Sequence, residues 1–293
     1  MSSDCGVGDE VSSDPHSALR NIDPQTVEGF GREWAAFDQS RLAGAEYELQ
    51  FNGYFGIFPF DELPSGAEGF DLGCGSGRWA AGIAPRVGLL HCIDPSPEAL
   101  AIARKRLAHL GNVRFHLASS ETMPLEDSSQ DFGYSVGVLH HIPDTAGALR
   151  DCVRKLKPGA PFLLYVYYAF DNRPAWYSGL WRVSDIGRRA IFRLPFGLRR
   201  GVTTAIAAAV YWPLARFARA AERLGADVSH YPLSSYGRRS FYSMRTDALD
   251  RFGTKLEQRF TRDQIRRMME AAGLEQIRFS EEVPYWTACG RRR

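Results

Sequence analysis

The stretch Asp71-Leu72-Gly73-Cys74-Gly75-Ser76-Gly77 places glycine at three alternate positions behind a short apolar run. That order predicts a buried strand, a tight turn and the first turn of a helix. Glycine accepts positive φ and lets a ligand lie against bare backbone, while a helix start offers unpaired N–H groups to something polar. About twenty residues on, Leu89-Leu90-His91-Cys92-Ile93 ends in Asp94, with Pro95 after it. From a strand tip, such a carboxylate can accept both ribose hydroxyls of a nucleoside. The same acid could instead only cap the next helix. Residue type excludes one rival loop and argues against another. A P-loop needs Lys-Ser/Thr after its last glycine, and Gly77 is followed by Arg78-Trp79. A dinucleotide fingerprint needs a small residue where Arg78 stands, because helix and strand pack closely there.

The elements that must position these residues alternate. A strand ending at Asp94 is followed by apolar residues at helical spacing over Pro97–Leu110, then by a strand at Val113–Leu117. Asp131–Val138 and Phe162–Val166 read as two more strands, the second entered through Leu156-Lys157-Pro158-Gly159. Such alternation means a parallel sheet with right-handed crossovers. Ligands bind beyond the C-terminal strand ends, where Gly73–Gly77, Asp94, Ser119 and His140 all fall.

With these segments in order, the chain resembles the class I S-adenosylmethionine-dependent methyltransferases over residues 66–170 and, more weakly, 255–293. The resemblance implies an α/β fold: a Rossmann-like seven-stranded sheet with helices on both faces, its last strand pair including an antiparallel one. It implies S-adenosylmethionine as cofactor and S-adenosylhomocysteine as product. Asp71, Gly73, Cys74, Gly75 and Gly77 would form the cofactor loop, with Asp94 and Pro95 at the ribose. Ser119 and Ser120 would lie at the adenine, where many relatives carry an aspartate in place of Ser119, and Val138 at the methionine end. The turn His140-His141-Ile142-Pro143-Asp144 matches the family's His-His-hydrophobe-Pro-Asp subgroup. His140 and His141 are the candidate proton acceptors, with Tyr168 beside them. Trp34, Tyr54, Tyr167, Asp171, Arg173, Arg245, Asp247 and Asp250 are expected against the acceptor. No metal ligand set is recognisable.

The implied activity is in-line methyl transfer to a small molecule, a specialised metabolite or a sugar-containing precursor. One alternative is a lipid-like or isoprenoid acceptor at a membrane surface. Another is a SAM-binding subunit or sensor without turnover.

At 293 residues, with 44% hydrophobic residues and a net charge of +2, the chain can bury a doubly wound core and still carry an accessory element. Five scattered cysteines without a Cys-x-x-Cys pair point to a reducing compartment, and the polar N-terminus shows no signal peptide, so a cytoplasmic protein is expected. Five zones are read: a flexible 1–25, a helical cover at 26–65, the cofactor core at 66–170, a helical lid at 171–254 and the rest of the core at 255–293. Between positions 182 and 223 the lid carries nine arginines against Asp185 and Glu222, interleaved with aromatics. Its apolar run Val202–Ala215 is too short to span a bilayer. A cover or homo-oligomer face over the site, peripheral docking on an anionic membrane and an anion-binding acceptor pocket all remain open for it. Nucleic acid is not expected, since overall charge is near neutral and no binding module appears. Arg291–Arg293 read as a solvated tail. A helix from Thr261 to Gly273 and strands at Gln276–Ser280 and Tyr285–Cys289 complete the expected core.

Overall fold

The computed structural model describes residues 20–37 and 44–293. Residues 1–19, most of the zone expected to be flexible, and Cys5 with them, lie outside the described residues. Strands β1 (Glu68–Leu72), β2 (Leu89–Asp94), β3 (Val113–Leu117), β4 (Phe132–Val136), β5 (Pro161–Tyr165), β6 (Leu274–Phe279) and β7 (Ala288–Arg292) form one seven-stranded sheet, ordered β3-β2-β1-β4-β5-β7-β6. The first five run parallel, and β7 is antiparallel to both β5 and β6. This is the architecture the resemblance implied. Chain order reverses between β1 and β4, so the loops leaving those two strands diverge and open a crevice.

Helices α1 (Pro24–Ala36), α2 (Gly44–Phe55), α3 (Ala80–Ile83), α4 (Pro97–Arg106), α5 (Thr145–Lys155) and α10 (Arg262–Ala271) accompany the sheet. One sheet face buries Phe70, Leu72, Leu149, Phe162 and Ile265 with α5 and α10. The other buries Leu90, Cys92, Ile83 and Leu100 with the α2 rings Phe51 and Phe55. Sequence-local caps set the helix starts: Ser96 accepts from the Ala99 N–H, Asp144 from Gly147, and Thr261 closes a capping box with Gln264.

Between β5 and α10, four helices build a smaller core of their own: α6 (Ala175–Ile191), α7 (Phe196–Ile206), α8 (Trp212–Arg223) and α9 (Phe241–Gly253). Ala207, Tyr211 and Ala215 pack there on Met244, Ala248 and Phe252.

Three expectations are corrected. The helix from Pro97 ends at Arg106 rather than Leu110, because Leu107 leaves helical geometry and Asn112 donates to the Ala84 and Val87 carbonyls, drawing the chain into β3. The last strand begins at Ala288 instead of Tyr285, since Tyr285 and Trp286 form a turn in which Trp286 packs into the core and its indole N–H is held by Asp171 at 2.8 Å. The terminal arginines are not a solvated tail. Arg291 and Arg292 lie in β7, the first bonded to Glu62 and the Gly159 carbonyl, the second to the Arg154 and Leu156 carbonyls.

Beneath the site the sheet is shaped by glycine facing aromatic rings. A Cβ at Gly133 would lie 2.5 Å from the buried Phe70 ring and 3.1 Å from Phe162. Gly133→Ala is therefore expected to lower stability by about 1–3 kcal/mol through overpacking. Urea unfolding monitored by circular dichroism measures it, and an unchanged midpoint would show that the rings can yield.

Candidate active site

The crevice contains an elongated cavity of about 330 Å³ running from the glycine loop to the four-helix insertion. At the loop end, the Ile93 carbonyl accepts from the Gly73 and Cys74 N–H groups at 2.7 and 3.1 Å, which folds the loop back over β2. Gly75 has φ +53°, and a side chain there would press within 3.1 Å of the Trp34 indole. Gly73 is equally confined, because a Cβ would meet Val138 at 2.4 Å. Glycine at both positions thus keeps a slot of bare backbone beneath Trp34.

Asp94 closes this end. One carboxylate oxygen accepts from the Gly75 N–H at 2.8 Å, the other from Ser96 at 2.9 Å. Burial pushes its pKa up to about 6, against the pull of those two N–H groups. A carboxylate accepts about four hydrogen bonds, so lone pairs remain for hydroxyls arriving from the cavity. Ser76 Oγ, also on the wall, is buried without a hydrogen-bond partner in the protein. An acid with spare acceptor capacity, a bare glycine slot and an unsatisfied hydroxyl fit the adenosyl part of a nucleoside cofactor.

Cys74, Pro95, Ser119, Ser120 and Val138 also line the cavity. Ser119 is engaged locally, its N–H donating to the Thr122 hydroxyl at 3.0 Å. Asp71 and Gly77 stand behind the wall. Asp71 is enclosed beside Tyr134, and burial, helped by the Asp94 charge, lifts it to about 8. Gly77 packs on Ala103 and Leu107 and fits the loop to α4.

The far end is polar in a different way. His141 Nδ1 lies 2.6 Å from the Leu256 carbonyl, which can only accept, so Nδ1 carries the proton and the neutral ring keeps Nε2 bare. Nε2 stands 3.9 Å from Asp250 Oδ1. Asp250 Oδ2 accepts from the Tyr167 hydroxyl at 2.5 Å. Burial raises the Asp250 carboxyl, with the His141 and Tyr167 contacts opposing and Asp247 and Glu257 adding to the rise. His140 behaves otherwise. It is fully enclosed, both ring nitrogens lack partners, and burial beside His141 holds its pKa well below the ordinary value. Its ring lies against His141 and Tyr167 at 3.9 Å from each and does not reach the cavity.

Of the residues expected against an acceptor, Trp34, Tyr54, Tyr167, Arg173, Asp247 and Asp250 line the cavity, as does Tyr168. Tyr168 accepts from Arg173 Nε at 3.3 Å. Asp171 and Arg245 do not. The Asp171 carboxylate is spent on the Arg262 N–H and the Trp286 indole, and Arg245 lies over the Phe37 ring. Sequence reasoning missed Arg239, Tyr211 and Tyr236. Arg239 comes from the loop before α9 and donates to Asp247 at 2.8 Å, and Tyr211 sits on an otherwise apolar helix. No local pattern marks them, because the insertion's own packing brings them to the cavity.

Residues 70–164 match a methyltransferase domain family. Over 107 residues the chain is 30% identical to the sterol 4-C-methyltransferase strm-1 of Caenorhabditis elegans, covering 36% of this chain and 32% of that one. Over 103 residues it is 32% identical to a ubiquinone biosynthesis O-methyltransferase of Xanthomonas axonopodis pv. citri, covering 34% and 43%. The chain thus spans less than half the length of either relative. The methyltransferase solved with the Trm112 activator of Haloferax volcanii shares the fold at a TM-score of 0.50 and 16% identity, over 89% of this chain and 96% of that one. Strand order, glycine loop and family match together make residues 70–164 a methyltransferase-type domain on the sheet described above.

Proposed function

We propose that this protein transfers the methyl group of S-adenosylmethionine to a hydroxyl of a small, polar acceptor, such as a sugar-containing precursor or a specialised metabolite. The carrying observation is that one cavity joins the glycine-loop end to a wall of tyrosines, acids and arginines. When bound, the cofactor supplies an electrophilic methyl carbon on a sulfonium. The rest is alignment, exclusion of water and proton acceptance.

Asp94 would hold the ribose hydroxyls, and the Gly73–Gly75 backbone with Trp34 would receive the nucleoside. Ser119 and Ser120 border the base side, Gly137 and Val138 the amino-acid side. For the acceptor, the Arg239–Asp247 pair offers donors and acceptors with no net charge, which suits a neutral polyhydroxylated molecule. The Tyr165, Tyr167 and Tyr236 hydroxyls stay protonated, because burial raises all three. His141 Nε2 is the one bare nitrogen of the pair on the cavity wall and takes the acceptor's proton. Asp250, fixed by Tyr167, then faces the resulting imidazolium. A non-catalytic SAM-binding role leaves this buried acid and histidine without a use.

Calorimetric titration with S-adenosylhomocysteine tests the cofactor half. Asp94→Ala is expected to weaken binding by about 2–3 kcal/mol, one to two orders of magnitude in Kd. The sign with pH follows from the raised carboxyl: below about pH 6 Asp94 is protonated and loses acceptor capacity, so affinity rises as pH increases through that value. Asp94→Asn should flatten this dependence. Absence of binding by folded wild-type protein would overturn the proposal.

For the catalytic half, transfer of labelled methyl to a pool of hydroxylated metabolites is the assay. His141→Gln should lower kcat by about 10²–10⁴-fold with cofactor affinity unchanged. Full activity in that variant would remove His141 as the proton acceptor.

A further inference from the structure

The insertion carries a surface that neither the sheet nor the cavity uses. Among the described residues, all exposed large apolar side chains except Leu49, Leu117 and Val283 fall between Trp176 and Tyr231. Half of them lie on one long helix, and Trp176, Leu180, Val183 and Ile186 lie on the neighbouring α6. α7, a five-residue π-helical turn (Ala207–Tyr211) and α8 follow without a break from Phe196 to Arg223, spanning about 42 Å at 1.5 Å per residue.

Its inner face is already satisfied, with Ala207, Tyr211 and Ala215 packed on α9. Its outer face is apolar too. Leu198, Val202, Ala205, Ala209 and Trp212 recur at steps of three and four and are all exposed, with Phe217 beyond them. Leu198 is 62% exposed and Phe217 60%. No charged residue occurs from Gly201 to Ala215. A helix apolar all round is normally buried on all sides, so this one lacks a partner for its outer face.

The charges around that face indicate what covers it. Arg193 and Arg200 precede the charge-free stretch and Arg219 and Arg223 follow it, while exposed Arg182 and Arg189 lie on the neighbouring α6. Among these arginines only Arg189 meets an acid of the region. Asp185 is buried between Arg188 and Arg189, and Glu222 lies 3.8 Å from Arg238. Apolar and aromatic side chains framed by arginines are the composition of a helix lying in the plane of an anionic bilayer surface. Among the described residues, no helix is long and apolar enough to cross a membrane.

We propose that the outer face of the α7–α8 helix docks this protein on an anionic lipid surface, with the helix lying in the interface. The apolar stripe enters the headgroup boundary and the flanking arginines meet lipid phosphates. Because Tyr211 lines the cavity from the opposite side of the same helix, docking would hold the cavity about one helix diameter, roughly 10 Å, from the lipid.

Co-sedimentation of the full chain with vesicles of phosphatidylcholine alone, and of phosphatidylcholine mixed with phosphatidylglycerol, tests this. Binding to the mixed vesicles only, weakened by salt, is expected. Leu198→Gln/Val202→Gln/Phe217→Gln should abolish it. Arg200→Gln/Arg223→Gln should reduce it about fivefold for each arginine replaced. S-adenosylhomocysteine titration and thermal melting identify variants that remain folded, and keep this test separate from that of the cofactor site. Failure to bind mixed vesicles, or binding that the triple substitution leaves intact, would overturn the proposal. So would a wild-type dimer by light scattering that the triple substitution makes monomeric, because the face would then belong to a second copy of the chain.

Discussion

Two adjacent parallel strands end side by side, and the protein's chemistry depends on how their ends are tied. The Ile93 carbonyl takes two loop N–H groups and the Asp94 carboxylate takes a third, from Gly75. Without those bonds the loop after β1 would have buried donors to satisfy elsewhere. The tie also fixes the direction of Asp94: its oxygens are held by backbone from two sides, so its remaining lone pairs face the cavity. Burial makes the arrangement costly to ionise, as the raised pKa records, and that cost is recovered only when further donors reach the carboxylate.

The opposite end is built on another economy. Removing acids and arginines from water is expensive unless each finds a partner, and here Asp247 has Arg239 while Asp250 has Tyr167. Asp250 retains one oxygen without a hydrogen bond, facing the bare nitrogen of His141 across 3.9 Å. That gap is too long for a hydrogen bond and short enough for charge to act, so the acid responds to a proton on the ring. His140, one residue earlier, is shut in between two rings and can do nothing similar.

The parts of the molecule legible in the sequence are those made by neighbours along the chain. The glycine loop, the acid at the tip of β2, the alternation of strand and helix and the Thr261 cap are all local patterns. The sheet order followed from the resemblance those patterns carry. Illegible were the features decided by partners far away in the chain. Asp171 reads as an acceptor ligand until Trp286, 115 residues later, occupies it. Arg291 and Arg292 read as a tail until β5 and β6 pair with their backbone. Nor could spacing choose between His140 and His141, because the choice rests on the Leu256 carbonyl.

The same distinction bears on the acceptor. The family match ends at Leu164, where β5 is about to leave the sheet, and nearly everything at the far end of the cavity comes after it. Tyr167, Arg239, Asp247 and Asp250 belong to the β5 exit and the insertion, outside the matched stretch. His141 lies inside that stretch, yet its tautomer and its facing acid are both supplied from outside, by Leu256 and Asp250. Similarity to a sterol 4-C-methyltransferase and a ubiquinone biosynthesis O-methyltransferase therefore reports the cofactor half and is silent on what is methylated. On the proposed function, acceptor choice would reside in a four-helix unit with its own core, free to vary in sequence without disturbing the strand ends at the glycine loop.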